Sequence, residues 1–220
     1  MNLLKFIFFS SLEYFGTFMF VLVQFRFSVK ENISKIVLIS LLLSFVSYSL
    51  RLNELNSISP LIQNLIFLMY IQMVMKVNII HTIIMVLTGY IVFGLVQTCI
   101  IAVALHLDFI DLNNFEPAST YANIIQFLSF VVMTVFSLLT LKFKGGFSFI
   151  EARSRFSRKI FSGKNKWFLL LIFLSFIVTI ISNIILIESE NPPFLLIASI
   201  MMIILLVHTY MTLRKDESND

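Results

Sequence analysis

Apolar residues in this chain run in blocks of about twenty, separated by short polar connections, and that spacing restricts the fold more than any other feature of the sequence. A water-facing helix interrupts its apolar positions every few residues, and these blocks do not. With 59% of the 220 residues hydrophobic and only 13% charged, against about 45–50% and about 25% in soluble chains, the expected fold is all-α: a polytopic transmembrane helical bundle forming a single integral membrane domain over 1–220. One cysteine supports neither an internal disulfide framework nor a four-Cys zinc site, and six Gly with four Pro exclude collagen-like and linker-rich chains.

Seven spans are expected, at about 4–24, 33–50, 60–75, 79–107, 122–141, 167–187 and 194–212. The first is not a cleaved signal peptide, because Glu13 interrupts it and no small-residue cleavage site follows. The second is short, which suggests little tilt or local bilayer thinning. The third opens on Pro60, a favoured first-turn residue. The fourth, roughly 43 Å at 1.5 Å per residue, suits one tilted helix and not two. Trp167 and Tyr210 stand near span ends, where amphipathic rings prefer the interface.

Charge sets the orientation. The connections 25–35, 76–78 and 142–166 with the tail 213–220 hold 14 of the 16 Lys and Arg residues, and the alternate set holds two. Positively charged loops stay cytoplasmic, so the N-terminus is expected outside and the C-terminus in the cytoplasm of a multi-pass plasma-membrane protein. A six-span reading puts basic connections on opposite sides. The net charge of +4 does not point to nucleic acid, because half the basic residues crowd into the loop 142–166. That loop opens on a Gly145-Gly146 pair, read as flexible. Within it, Phe149, Phe156 and Ile160 alternate with Arg153, Arg155, Arg158 and Lys159 in a pattern suited to a helix lying on anionic inner-leaflet lipids or meeting a cytoplasmic partner. The plainer reading is an orienting loop.

Glu13 is the one acidic residue at mid-depth of any expected span. Such a group costs at least ~2.5–3.5 kcal/mol on insertion scales, so it should face the bundle interior. Ser10, Glu13, Thr17 and Gln24 fall within about 60° of one another at 100° per residue, giving the first span a polar stripe. Glu13 is open to several readings: an inter-helix hydrogen bond, a proton- or cation-responsive group, or part of a ligand pocket. His81, Thr88, Cys99 and His106 share one face of segment four, yet His81 and Cys99 are about 27 Å apart along the axis and cannot ligate one metal. Cys99 and His106, about 10 Å apart, exceed the ~2.6–3.2 Å reach of a nucleophile and its base. His208 is expected near the cytoplasmic side, away from Cys99. No metal or cofactor site is expected. Tyr90, Gly94 and Gln97 occupy the opposite face, and Gln63, Asn64, Gln72, Gln126 and Asn183 read as packing residues.

HExxH, GxSxG and Walker A motifs are missing, as are paired aspartates at membrane depth and a lysine within 194–212 for a retinal Schiff base, so an enzyme is not expected. The chain resembles in size the peptide-processing cysteine endopeptidases of Gram-positive quorum-sensing operons, but has no match to their His–Cys motif around His81. Spans of this number and loop length, with a cytoplasmic C-terminus, resemble the membrane input region of accessory-gene-regulator and competence-type histidine kinases. In those receptors the last span leads into a kinase domain, whereas this sequence continues only as LRKDESND after Thr212. The stretches SFVSYSLR and TGYIVFGLVQT are similar to small membrane proteins of Bacillus-like bacteria. Both resemblances imply a sensor-like or regulatory module without a kinase, acting through a membrane or cytoplasmic partner or a second copy. The outward loops carry Asp108, Asp111, Glu116, Glu188 and Glu190 with no Lys or Arg, a surface that could steer a cationic ligand, or simply outer loops depleted in Lys and Arg. The alternative function is a small transporter, or a transporter's membrane subunit, in which Glu13 responds to protons or cations.

Overall fold

A computed structural model describes residues 3–53, 55, 58–107, 109, 119–148, 150, 166–188 and 193–217. Its described residues form seven α-helices: α1 (Leu3–Gln24), α2 (Val29–Leu52), α3 (Ser59–Val74), α4 (Ile79–His106), α5 (Thr120–Lys142), α6 (Lys166–Glu188) and α7 (Phe194–Glu217). Five of them, α1, α2, α4, α5 and α7, are long and apolar enough to cross a membrane, the build of an integral membrane protein. With 16 residues, α3 reaches about 24 Å.

Local chemistry sets the helix ends. Helix α2 outruns its apolar block because the Ser28 hydroxyl accepts from the Glu31 N–H at 3.4 Å, drawing the polar VKEN turn into the helix. The helix therefore has 24 residues, longer than the apolar block 33–50 within it. Pro60 sits in the first turn of α3. Asn78 and Ser119 cap α4 and α5, accepting from Ile80 N at 3.1 Å and Ala122 N at 3.2 Å.

Cross-helix pairs fix direction and register. Tyr14 meets Gln63 and Phe18 meets Phe67, both 49 positions apart, so α1 and α3 run parallel. Glu13 meets Gln97 and Val21 meets Gly89, pairs whose numbers share one sum, so α4 runs antiparallel to α1. Helix α7 is antiparallel to α4 through Thr88 with His208 and Gly94 with Met201. Helix α1 is the hub, packed against α2, α4 and α5. Glycine makes the tightest approaches: a Cβ on Gly89 would collide with Val21, and one on Gly16 would lie 3.2 Å from the Phe130 carbonyl of α5.

On α2 and α5, small polar side chains line much of the buried face and large apolar ones face outward, unlike the helices of a water-soluble bundle. Ser40, Ser44 and Ser47 line the buried face of α2, while Leu38, Leu41, Leu42 and Phe45 are exposed. Helix α5 buries Gln126, Ser129 and Ser137 and exposes Leu128, Val135 and Leu138. Several buried hydroxyls bond back to their own helix, as in Ser40 to Ile36 O at 2.7 Å and Ser137 to Met133 O at 2.7 Å, which satisfies them where water is absent.

At the end where α1, α3 and α5 finish, a basic residue with positive φ follows each helix: Arg26 (56°), Lys76 (56°) and Lys144 (50°). Just beyond α5 the chain folds back under α1. Gly146, at φ 96°, would put a Cβ 2.8 Å from the Gln24 carbonyl. Phe147 N–H donates to that carbonyl at 2.7 Å, its ring meets Phe25, and Phe147 and Ile150 join the core. The Gly145-Gly146 pair is therefore not a free hinge: its second glycine permits a close backbone contact that any side chain would block.

Candidate functional site

Glu13 lies on the buried face of α1, with 5% of its surface exposed. Removing a carboxyl from water is costly unless neighbours replace its hydration. Gln97 of α4 does so on one side, donating Nε2–H to Glu13 Oε1 at 2.8 Å. Thr17, one turn along α1, donates its hydroxyl to the Glu13 main-chain carbonyl at 3.0 Å. Ser129 of α5 is fully buried close to the same carboxyl, outside hydrogen-bonding geometry. Gln126 lies one turn earlier on that face of α5, also buried. Among the described residues, neither the Ser129 hydroxyl nor Gln126 Oε1 has a hydrogen-bond partner.

A second branch starts at Tyr14. Its hydroxyl donates to Gln63 Oε1 at 2.6 Å, and Gln63 Nε2 donates to Ser59 Oγ at 2.7 Å. Arg51, in the last turn of α2, lies within electrostatic range of both Glu13 and Tyr14, its guanidinium 5.0 Å from the centre of the Phe6 ring. Five helices thus bring one carboxyl, one guanidinium, a phenol and several amides and hydroxyls into the half of the bundle where α1, α3 and α5 begin. Beyond Thr17 the buried face of α1 turns apolar: Phe18, Val21 and Leu22 pack with Phe67, Ile71 and Met133 in one cluster.

The structure brings Ser10, Glu13 and Thr17 together on one buried face and sets Gln24 apart. Gln24 is half-buried at the far end of α1, where its main-chain carbonyl receives Phe147. The shared face on α4 divides: His81 and Thr88 are buried, whereas Cys99 and His106 are exposed. Thr88 donates to Ile84 O at 2.8 Å and lies 2.7 Å from His208 Nε2. A hydroxyl has one proton, so satisfying both contacts makes Nε2–H the donor to Thr88. Asp108, Asp111, Glu116, Glu190, Arg153, Arg155, Arg158 and Lys159 lie outside the described residues, and so does the Glu188 side chain at the end of α6.

No protein-family model, curated protein or solved structure matches this chain. The resemblance to kinase input regions therefore rests on span architecture alone. Sequence reasoning missed the partners of Glu13. Glu13 stands ten residues into α1 and Gln97 nine from the end of α4, so matching polar residues by depth in antiparallel spans was the available signal. Arg51, just past the second apolar block, is one of the two basic residues of the outward set, and nothing in its spacing ties it to Glu13.

Proposed function

We propose that all seven helices cross the plasma membrane, N-terminus outside and C-terminus in the cytoplasm, and that the chain is a sensor-like regulatory module whose responsive element is the Glu13 node. Three features support the seven-span reading: the directions of α1, α3, α4 and α7, which fit alternate crossings, four connections of four to six residues, and the concentration of Lys and Arg in alternate connections. In this orientation the polar cluster occupies the outer half of the bundle.

One observation carries the functional reading: along α1 the polar face of Ser10, Glu13 and Thr17 gives way to Phe18, Val21 and Leu22, packed with Phe67, Ile71 and Met133, while the buried Thr88 and His208 beyond them bond to each other. A polar node bounded by apolar packing on one side suits recognition, whereas a transporter needs a polar path joined through both halves of the bundle. The carboxyl binds α4 through Gln97 and adjoins α5 at Ser129. A proton or ligand that changes its bonding alters how α1 sits between those helices, and a cytoplasmic partner reads the shift.

Reconstituted protein in vesicles carrying an internal pH-sensitive dye provides the test. Under an imposed ion or pH gradient, wild type and Glu13→Gln should show the same leak as empty vesicles. Flux present in wild type and lost in Glu13→Gln would replace the sensor reading with transport.

A further inference from the structure

Where α1, α3 and α5 end, Arg26, Lys76 and Lys144 each hold the left-handed conformation directly after the helix. That position normally belongs to glycine or asparagine, because a Cβ is unfavourable there. Three exposed cations occupy it instead. Helix termination does not explain the choice, since glycine would end each helix with less strain. Attraction to the negative helix end does not need this position either, since a cation anywhere in the last turn serves it.

The same end exposes Lys30, Lys142 and, near the end of α7, Arg214, together with the acid Glu31 in the first turn of α2. Phe143 stands between Lys142 and Lys144 with 76% of its surface exposed, while Phe147, four residues on, is locked into the core at 3%. The segment after α5 is therefore two-faced. One aromatic anchors it under α1, and the other projects beside two lysines. A projecting ring flanked by cations fits the boundary between acyl chains and acidic headgroups.

We infer that this end of the bundle binds acidic phospholipid headgroups, with Arg26, Lys76 and Lys144 contacting phosphate and Lys142 and Phe143 seated in the interface. The inference rests on the membrane-spanning reading and is independent of any sensor role. It places the lipid contact on the folded helix ends, separate from the arginines of the 151–165 segment.

Glycine substitution separates binding from folding, because glycine accepts positive φ and removes the charge. Purified full-length protein in a neutral detergent is titrated with phosphatidylglycerol, phosphatidylcholine or inorganic phosphate, and binding is read from the shift in thermal unfolding. The Arg26→Gly/Lys76→Gly/Lys144→Gly variant should unfold without lipid at or above the wild-type temperature. Each basic residue near an acidic headgroup layer contributes roughly a fivefold factor, so its phosphatidylglycerol affinity should fall about a hundredfold. Phosphatidylcholine and phosphate should leave wild type unchanged. Equal phosphatidylglycerol stabilisation of variant and wild type overturns the inference, as does an equal response of wild type to phosphatidylcholine or to free phosphate. If the triple variant does not fold, Lys142→Gln/Lys144→Gly carries the same comparison, with about a twenty-fivefold loss expected. Membrane crossing is read separately by cysteine labelling, so failure of that reading is distinguishable.

Discussion

Gln97 of α4 donates to Glu13 of α1 across 2.8 Å, joining two antiparallel helices at the polar centre of the bundle. Gln97→Leu leaves the carboxyl buried without this donor and should cost about 1–3 kcal/mol of stability. Glu13→Gln retains an acceptor for the Gln97 amide and should cost less than about 1 kcal/mol. A double-mutant cycle with Glu13→Leu, measured by unfolding in lipid–detergent mixtures, should give a coupling of about 0.5–2 kcal/mol. A coupling near zero would mean that the pair does not hold the helices together.

Gly89 has no room for a methyl group, because Val21 of α1 occupies that space. Gly89→Ala should destabilise the bundle by about 1–3 kcal/mol through overpacking. Adding Val21→Ala should recover part of that loss. Thermal unfolding of both variants checks the result, and a Gly89→Ala chain as stable as wild type contradicts the close α1–α4 crossing.

The two neighbouring glycines after α5 should behave differently. Gly146→Ala meets the Gln24 carbonyl and an unfavourable φ, so it should release the segment from α1 and speed protease cleavage in the following basic loop several-fold. Gly145→Ala meets the Thr140 methyl at 3.4 Å and the Thr140 carbonyl at 3.6 Å, both ordinary contacts, and should cut at the wild-type rate. Cleavage time courses on inverted membrane vesicles distinguish the two. Equal rates for both variants would show that Gly146 is not an anchor.

The seven apolar blocks were legible because their lengths alone call for helices, and the helices observed follow them closely. Differences arise where polar chemistry extends or stops a helix: Ser28 and Glu31 add a turn to α2 beyond its apolar block. The stripe of Ser10, Glu13 and Thr17 was legible from helical spacing. Gln97, Ser129 and Arg51 were not assigned to it, because spacing within one helix carries no register between helices. That register depends on contacts such as Val21 with Gly89, between residues 68 positions apart. The seating of Gly146 was hidden for the same reason, since a glycine pair in a basic loop reads as freedom until its carbonyl partner is known.

Membrane crossing by α3, the shortest helix, is the central step, since every orientation downstream of it depends on that span. In a Cys99→Ser background, Leu55→Cys lies before α3 and Lys76→Cys after it. Intact cells are treated with a membrane-impermeant maleimide. Leu55→Cys should label directly, and Lys76→Cys only after permeabilisation. Labelling of both from the same side would contradict seven spans and the outward placement of the Glu13 site.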